Sequence, residues 1–159
     1  MAIRAAQRPL LLVDVDGVLQ PIGNSIPPGF ERFSDDSSTV TLCPRHGEWL
    51  LQLATAFELT WASTWAANAN NAIGRRLGLP ALPHIELSGL PREGTRKLAA
   101  VQRYVGHRAV AWLDDELYED ATTWAEGRGA PTLLIRTAGA VGMTSADVDQ
   151  LEEFARECS

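Results

Sequence analysis

Short apolar runs alternate along the chain with longer segments whose apolar residues recur at helical spacing. An unbroken apolar run suits a strand that is buried on both faces of a sheet. The predicted strands are residues 10–15, 57–62, 84–87, 109–113 and 132–136. The predicted helices are residues 45–55, 65–77, 95–105, 117–126 and 144–157. This alternation indicates βαβ units and therefore an α/β fold, a three-layer Rossmann-like parallel sheet of about five strands with helices on both faces.

One segment departs from the alternation. Residues 20–42 contain three prolines and two glycines, then a polar SDDSS stretch followed by TVTL. Such a composition predicts a loop and a β-hairpin beside the end of the first strand. The hairpin is either a small flap over a site or a surface loop. The chain has 159 residues, so we expect one domain over residues 1–159 with this segment as its minimal cap.

Composition and the lengths of the apolar runs bear on binding to nucleic acid, on membrane association and on export. The chain has 14 basic and 20 acidic residues, and its net charge of −6 disfavours non-specific binding to a phosphate backbone. No run approaches the roughly 18 apolar residues of a membrane span, so we expect no membrane association. Arg4 and Arg8 precede only the short apolar run Leu10–Val13, which is too short for the core of a signal peptide. We therefore expect a cytoplasmic protein.

Acidic residues stand at the ends of two predicted strands. Asp14 and Asp16 end the first strand, and Asp114 and Asp115 end the fourth. In a parallel sheet the carboxyl ends meet at one edge, where ligands bind. Carboxylates gathered there repel one another unless a cation lies between them, and Mg²⁺ prefers such oxygen ligands. The sequence predicts a magnesium site at this edge, with Gly17 allowing a tight turn next to a ligand.

Hydroxyl and amino groups accompany the acidic ones. Ser63 and Thr64 end the second strand, where their hydroxyls and the free N–H groups of the next helix suit a phosphate oxygen, although either residue could simply cap that helix. Lys97 is the only lysine beside thirteen arginines. Its compact ammonium can contact a phosphate and a carboxylate together where a guanidinium does not fit. Trp61 and Trp65 flank the predicted site, and we favour packing over stacking on a substrate ring for both.

These motifs together resemble those of the haloacid dehalogenase (HAD) superfamily of aspartate-nucleophile phosphohydrolases. DVDGVL, from Asp14 onward, is similar to the first motif, and Ser63, Lys97 and the Asp114–Asp115 pair follow in the order of the other three. The resemblance spans about residues 8–136. More narrowly, the chain resembles the small HAD domains related to those in Swiss Army Knife RNA repair proteins. Those domains join a DVDGVL-x-P start to a WA(S/T)-x-W second motif.

The resemblance implies a mechanism. Asp14 would be the nucleophile that forms an aspartyl-phosphate, and Asp16 the general acid and base. Ser63 would hold the transferred phosphoryl group, and Lys97 would neutralise the charge of the intermediate. The substrate-binding residues would be Ser63, Thr64, Lys97 and Gly17. Ser63 and Thr64 both remain open as the phosphate-binding hydroxyl.

The resemblance also implies the ligands of Mg²⁺. They would be Asp14, Asp16, Asp114 and Asp115. Asp16 would contribute its backbone carbonyl. Asp115 is our first choice for a direct carboxylate ligand and Asp114 for one acting through water, but the DD pattern leaves their order open.

We therefore predict a Mg²⁺-dependent phosphohydrolase that acts through an aspartyl-phosphate on a phosphomonoester. The phosphorylated substrate would be a small molecule such as a nucleotide, or a nucleic-acid end; the sequence does not determine the oligomeric state. The alternative is a non-catalytic HAD-fold module that binds a phosphorylated partner, although no motif position is lost. A response-regulator receiver is disfavoured because its acidic pair follows the first strand. Dehalogenase chemistry within the same superfamily is disfavoured because it needs no Mg²⁺, whereas the four aspartates of this chain suit a bound cation.

Overall fold

The computed structural model describes residues 7–159, so residues 1–6, with Arg4 of the N-terminal segment considered above, lie outside the described part. Six strands and four α-helices are found in that part. The strands are β1 (Leu10–Val13), β2 (Glu31–Ser34), β3 (Thr39–Leu42), β4 (Glu58–Trp61), β5 (Val110–Asp114) and β6 (Thr132–Arg136). The helices are α1 (Pro44–Leu53), α2 (Leu98–Val105), α3 (Glu119–Glu126) and α4 (Ser145–Cys158).

The central sheet is parallel and has the order β4-β1-β5-β6, which confirms the predicted α/β class. It has four strands, not five. The strand predicted at 84–87 is reduced to a single bridge between His84 and Trp61. Pro83 precedes this bridge and has no N–H to donate to a ladder, which limits the pairing there.

Helices cover both faces of the sheet, as predicted. Successive side chains of a strand point to opposite faces, and β1 shows this directly. Leu11 and Val13 belong to an apolar cluster that includes residues of α1 and α4. Leu10 and Leu12 belong to a second cluster, with residues of α2 and α3. β1 is therefore buried on both sides, which is why its sequence is apolar without alternation.

The predicted hairpin is present, since β2 and β3 pair antiparallel in a separate two-stranded sheet. The tip of this hairpin is held in place by a residue that lies outside the hairpin. Arg76 donates a 2.6 Å hydrogen bond to Asp35 at the tip, and its guanidinium lies 6.0 Å from the ring centroid of Phe33. The hairpin is thus joined to the segment that follows β4.

The prediction of a regular helix over 65–77 was wrong. The chain makes turns after Ser63, then a π-helical turn over Asn70–Gly74 and a 3₁₀ turn over Arg75–Leu77. Asn70 supplies the physical reason, because its side chain accepts hydrogen bonds from Trp61 Nε1 and Leu82 N and donates one to Leu82 O. These contacts tie Asn70 to β4 and to the segment after Gly78, and such tertiary contacts outweigh the local helical preference.

The other predicted helices are confirmed with small shifts at their ends. The N-terminal shift of α2 matters for the site, because Lys97 lies at the N-cap position of this helix and not within it. Thr144 and Asp147 form the expected capping box at the start of α4. Within residues 7–159, no helix combines the length and apolarity needed to cross a membrane.

Candidate active site

The carboxyl ends of β1, β4 and β5 meet at one edge of the sheet. The register pairs Val13 with Trp61 on one side and with Leu113 on the other, so the residues that follow these three positions are neighbours. Asp14 follows β1 directly, and Asp114 is the last residue of β5. The sequence-predicted acidic residues are therefore brought together by strand pairing.

Lys97 joins the three strand ends. Its Nζ lies 2.9 Å from Asp14 Oδ1, 2.7 Å from Asp114 Oδ2 and 2.9 Å from the carbonyl oxygen of Ala62, the residue after β4. An ammonium carries three donors in a tetrahedral arrangement, which matches three acceptors that surround it. The donors of an arginine lie in one plane and cannot be directed in this way, which accounts for the chain's only lysine at this position.

This cluster is buried. Asp14 is 5% exposed, Asp114 1% and Lys97 9%. Burial raises the pKa of Asp14 well above its usual value; nearby Lys97 lowers it in part, while the Asp114 carboxylate raises it further. Burial alone would lower the pKa of Lys97, but the two carboxylates outweigh this and raise it. Burial and the Asp114 charge also raise the pKa of Asp115. The site is therefore short of positive charge.

The carboxylates suit a divalent cation. Oxygens of Asp14, Asp114 and Asp115 all lie within 4.8 Å of one another. When all three carboxylates are ionised, as a bound cation would favour, they and the one ammonium of Lys97 (−3 + 1) leave two negative charges. An all-oxygen donor set with this excess charge fits Mg²⁺. The carboxylate of Asp16 does not belong to this group, and its predicted role as a ligand through the backbone carbonyl stays a prediction.

The two adjacent aspartates differ in their hydrogen bonds. Asp114 Oδ1 accepts from the N–H of Glu116 at 2.9 Å, and Oδ2 accepts from Lys97. The Asp115 carboxylate accepts no hydrogen bond from any other residue in the described part of the chain; only its backbone oxygen is bonded, by Arg136. Asp115 therefore has more lone pairs open to a cation than Asp114 has.

Gly17 lies directly against this acidic group. Its φ is +84°, a conformation that side chains disfavour, and a Cβ there would collide with the Asp115 carboxylate. Its carbonyl oxygen accepts a 2.7 Å hydrogen bond from Thr137 Oγ1, just after β6. The tight turn predicted at Gly17 is present, and any side chain at this position would displace Asp115.

Asp16 is oriented by two residues whose role the sequence did not reveal. Its Oδ1 accepts a 2.8 Å hydrogen bond from Gln20 Nε2, and its Oδ2 accepts a 3.0 Å hydrogen bond from Trp65 Nε1. Gln20 Oε1 in turn accepts from the N–H of Thr41 in β3 at 2.9 Å. Asp16 is thus held from both sides, by Gln20, which is itself bonded to the hairpin strand β3, and by Trp65 in the turn after β4.

The two tryptophans of the second motif have different roles. Trp61 is fully buried and uses its Nε1 to bond Asn70, which agrees with the packing interpretation. Trp65 is half-buried, packs against the apolar cluster that contains Leu11 and Val13, as predicted, and also bonds Asp16 directly. The sequence around Trp65 does not indicate this contact, because the contact depends on an irregular turn in which Ala66 has a φ of +50°.

Ser63 and Thr64 also differ. Ser63 is buried, and its Oγ accepts a 3.2 Å hydrogen bond from the N–H of Trp65. Thr64 is exposed and lines the cleft above the acidic cluster. Thr64 is therefore at the surface of the site, whereas Ser63 is buried and is not among the residues that line the cleft.

The cleft has a volume of about 130 Å³. Asp14, Asp16, Thr64, Lys97 and Asp115 line it, together with Ile22, Leu90, Arg96 and Glu116. Arg96 is a further cation that sequence reasoning missed, since an arginine next to the singled-out Lys97 carries no distinguishing pattern among thirteen. Its Nε donates to the carbonyl of Pro91, which holds the side chain at the rim.

Comparison with known proteins identifies a family to which the chain is similar. No match is found among the curated proteins. A match is found with the family described as the HAD domain in Swiss Army Knife RNA repair proteins, and it covers residues 10–148, from the first residue of β1 into α4. This range contains every residue of the cleft and of the ion cluster, so the resemblance read from the motifs is confirmed, and the chain belongs to this family of HAD domains.

Proposed function

We propose that the protein is a Mg²⁺-dependent phosphomonoester hydrolase that uses Asp14 as its nucleophile. Membership of the HAD superfamily makes it one of a group of hydrolases that are generally phosphatases. The observation that carries the proposal is the buried contact of Lys97 with both Asp14 and Asp114, beside an Asp115 carboxylate open to a cation. Burying charged groups is costly, and strongly shifted carboxylates in a cleft are typical of reactive sites.

The first step is attack by Asp14 on phosphorus. Its Oδ1 is held by Lys97 and by the N–H of Val15 at 2.8 Å, which leaves Oδ2 as the attacking atom. A bond forms between Oδ2 and phosphorus while the phosphorus–oxygen ester bond breaks. The leaving oxygen takes a proton from the carboxyl group of Asp16 and departs as an alcohol.

The second step reverses the roles of the acid and the base. Asp16, now a carboxylate, takes a proton from a water molecule that attacks the aspartyl-phosphate. The bond between Asp14 and phosphorus breaks, which releases inorganic phosphate and regenerates the Asp14 carboxylate. Gln20 and Trp65 hold the Asp16 carboxylate at the mouth of the cleft through both steps.

Cationic and polar groups surround the transferred phosphoryl group. Lys97 neutralises charge on it, Thr64 supplies a hydroxyl, and Arg96 adds a positive charge at the rim. The hydroxyl of Ser63, which follows the Ala62 whose carbonyl bonds Lys97, would be the second. Asp14, Asp114 and Asp115 would hold Mg²⁺, which supplies positive charge against the phosphoryl oxygens when bound.

The size of the cleft bears on the substrate. A volume of about 130 Å³ accommodates a phosphoryl group but not a large leaving group, which must extend out of the cleft. This suits the end of a polymer or a nucleotide. The family's description refers to RNA repair proteins, and we propose a nucleic-acid terminal phosphate or a nucleotide as the substrate. The alternative, a module that binds a phosphorylated partner without turnover, has no lost motif position to support it.

The test is phosphate release from para-nitrophenyl phosphate, nucleotides and 3′- or 5′-phosphorylated oligonucleotides, with and without Mg²⁺. We expect Mg²⁺-dependent release by the wild type and a loss of at least ~10³-fold in Asp14→Asn, which keeps the volume but not the nucleophile. Asp149→Asn, at an exposed position of α4, is the matched control and should retain full activity.

Two outcomes would contradict the proposal. Full activity of Asp14→Asn would exclude Asp14 as the nucleophile. Absence of release from every substrate, while Mg²⁺ still raises the melting temperature, would favour the binding module. In that thermal measurement, Mg²⁺ at a hundred times its dissociation constant should add about 2.7 kcal/mol to the free energy of unfolding.

A further inference from the structure

A second cavity, of about 290 Å³, lies beside the active-site cleft. One wall comes from the segment after β4 and the other from the tip of the hairpin. The lining residues are Trp65, Asn68, Asn71 and Ala72 on the first wall and Asp35, Ser37 and Ser38 on the second. This volume is at the lower end of the range of small-molecule sites and suits a single ring system.

Trp65 connects this cavity to the chemistry. Its ring lines the cavity, while its Nε1 lies 3.0 Å from Asp16, the residue that protonates the leaving oxygen. The group attached to that oxygen is therefore released next to Trp65. Since Trp65 lines this cavity and contacts Asp16, a leaving group that extends past Asp16 would reach the cavity.

The lining offers hydrogen-bonding groups without partners. Asn68 and Asn71 are exposed, and within residues 7–159 their side-chain amides form no hydrogen bond. Asn70, between them, is fully engaged with Trp61 and Leu82. Free amide groups beside an indole are the combination with which proteins bind nucleobases, because the ring stacks and the amides bond the base edge.

The charges of the lining disfavour a second phosphate group. None of the lining residues is basic. The only carboxylate, Asp35, is already bonded by the N–H groups of Ser37 and Ser38 and by Arg76. These bonds also fix the hairpin wall, so the cavity is formed before any ligand arrives. A neutral, hydrogen-bonding ring fits it better than an anion does.

We infer that this cavity binds the nucleobase next to the scissile phosphate, so that the substrate is a nucleotide or a nucleic-acid end with its terminal base in place. The inference rests on the proposed phosphohydrolase function. It adds a binding site on the leaving-group side, formed by Trp65, Asn68 and Asn71, and it explains how a cleft with little room can distinguish one phosphomonoester from another.

The experiment compares two oligonucleotides with the same terminal phosphate, one with its terminal base and one abasic at that nucleotide, each in 3′- and 5′-phosphorylated form. We expect the wild type to show a kcat/KM at least ~10-fold higher for the base-bearing oligonucleotide, the size of effect that stacking of one base gives. Asn68→Ala/Asn71→Ala retains the stacking ring of Trp65 but removes both amides, so it should reduce this ratio about 3-fold. The reduction should come from a lower kcat/KM for the base-bearing oligonucleotide, with kcat/KM for the abasic oligonucleotide as in the wild type.

Two further variants separate binding from positioning. Gln102→Ala removes an exposed amide on α2 and should leave the ratio as in the wild type. Trp65→Phe retains a ring but removes the donor to Asp16, so it should lower kcat for both oligonucleotides and keep most of the ratio. A wild-type ratio near one in both phosphorylated forms would overturn the inference. An equal loss for both oligonucleotides in the double asparagine variant would also overturn it.

A binding measurement makes the result independent of turnover. Asp14→Asn should bind the base-bearing oligonucleotide at least ~10-fold more tightly than the abasic one, as measured by calorimetry. If no substrate is hydrolysed but this preference is found, the hydrolase proposal fails and the base site stands. If para-nitrophenyl phosphate is hydrolysed but Asp14→Asn binds the two oligonucleotides equally, the base site fails and the hydrolase proposal stands.

Discussion

The two ends of the parallel sheet carry cavities of opposite character. At the amino ends of β1 and β4 lies the larger cavity, of about 640 Å³, lined by residues such as Pro9, Phe57 and Arg156. At the carboxyl ends lies the cleft of about 130 Å³ with its buried ion cluster. The smaller cavity carries the proposed chemistry because its charges are desolvated and directed at one another. Cavity volume therefore does not indicate which end of the sheet carries the chemistry.

The largest expected effect comes from the ammonium at the carboxyl end. Lys97→Met leaves Asp14 and Asp114 buried without their cation, and we expect a loss of about 3–5 kcal/mol in the free energy of unfolding without Mg²⁺. Lys97 partly lowers the pKa of Asp14, so its removal should raise that pKa further. Ionisation of Asp14 then opposes folding more strongly in the variant than in the wild type, and the loss should grow as the pH rises above the ordinary pKa of an aspartate. Urea unfolding at several pH values measures this.

Lys97→Arg is the matched variant. It keeps the positive charge, so the protein should fold, but a planar guanidinium cannot contact the three oxygens as the ammonium does. We expect kcat/KM to fall by about 10²-fold or more. A fully active Lys97→Arg enzyme would show that charge alone is needed and that the three-strand geometry of this end is not.

A smaller effect is expected where the hairpin contacts the site. Gln20→Leu removes the hydrogen bond to Asp16 Oδ1 and the link to Thr41, and we expect kcat to fall by about 10-fold. The loss should be greater for alkyl phosphates, whose leaving oxygen needs a proton, than for para-nitrophenyl phosphate, whose leaving group departs without one. Gln102→Leu on α2 serves as the control. An equal loss on both substrates would mean that Gln20 supports structure and does not orient the acid.

The smallest effect is expected at the amino end. Arg156→Ala changes an exposed residue of the larger cavity, so the free energy of unfolding should stay within about 0.5 kcal/mol and kcat/KM should not change. Chemical denaturation and steady-state kinetics on the same preparation measure both. A change in kcat/KM without a change in stability would show that the cavity at the amino ends influences catalysis, and would contradict the functional difference between the two ends of the sheet.

The sequence allowed much of the fold and the position of the site to be predicted. The strands that carry Asp14 and Asp114 are unbroken apolar runs, and such a pattern depends on local residues alone. The gathering of the acidic residues followed from parallel pairing, because all strand ends then lie at one edge. Lys97 stood out because it is the only lysine.

The parts that were missed depend on contacts between distant or irregular segments. The hydrogen bond of Trp65 to Asp16 requires the turn after Ser63, where a regular helix had been predicted. That helix fails because Asn70 bonds Trp61 and Leu82, a tertiary effect that outweighs the apolar spacing. The role of Gln20 requires the hairpin to return beside it, and spacing along the chain does not indicate how a hairpin is placed.

The position of Lys97 also has a consequence for refolding kinetics. Its three oxygen partners come from the ends of three strands, which lie as much as 83 residues away along the chain (97 − 14). Contacts of such high sequence separation form slowly because long loops must close first. A chain that has collapsed but has not yet paired β1 with both β4 and β5 would have no activity. The rate at which activity recovers after dilution from denaturant would therefore report the rate at which the last of these strands pairs.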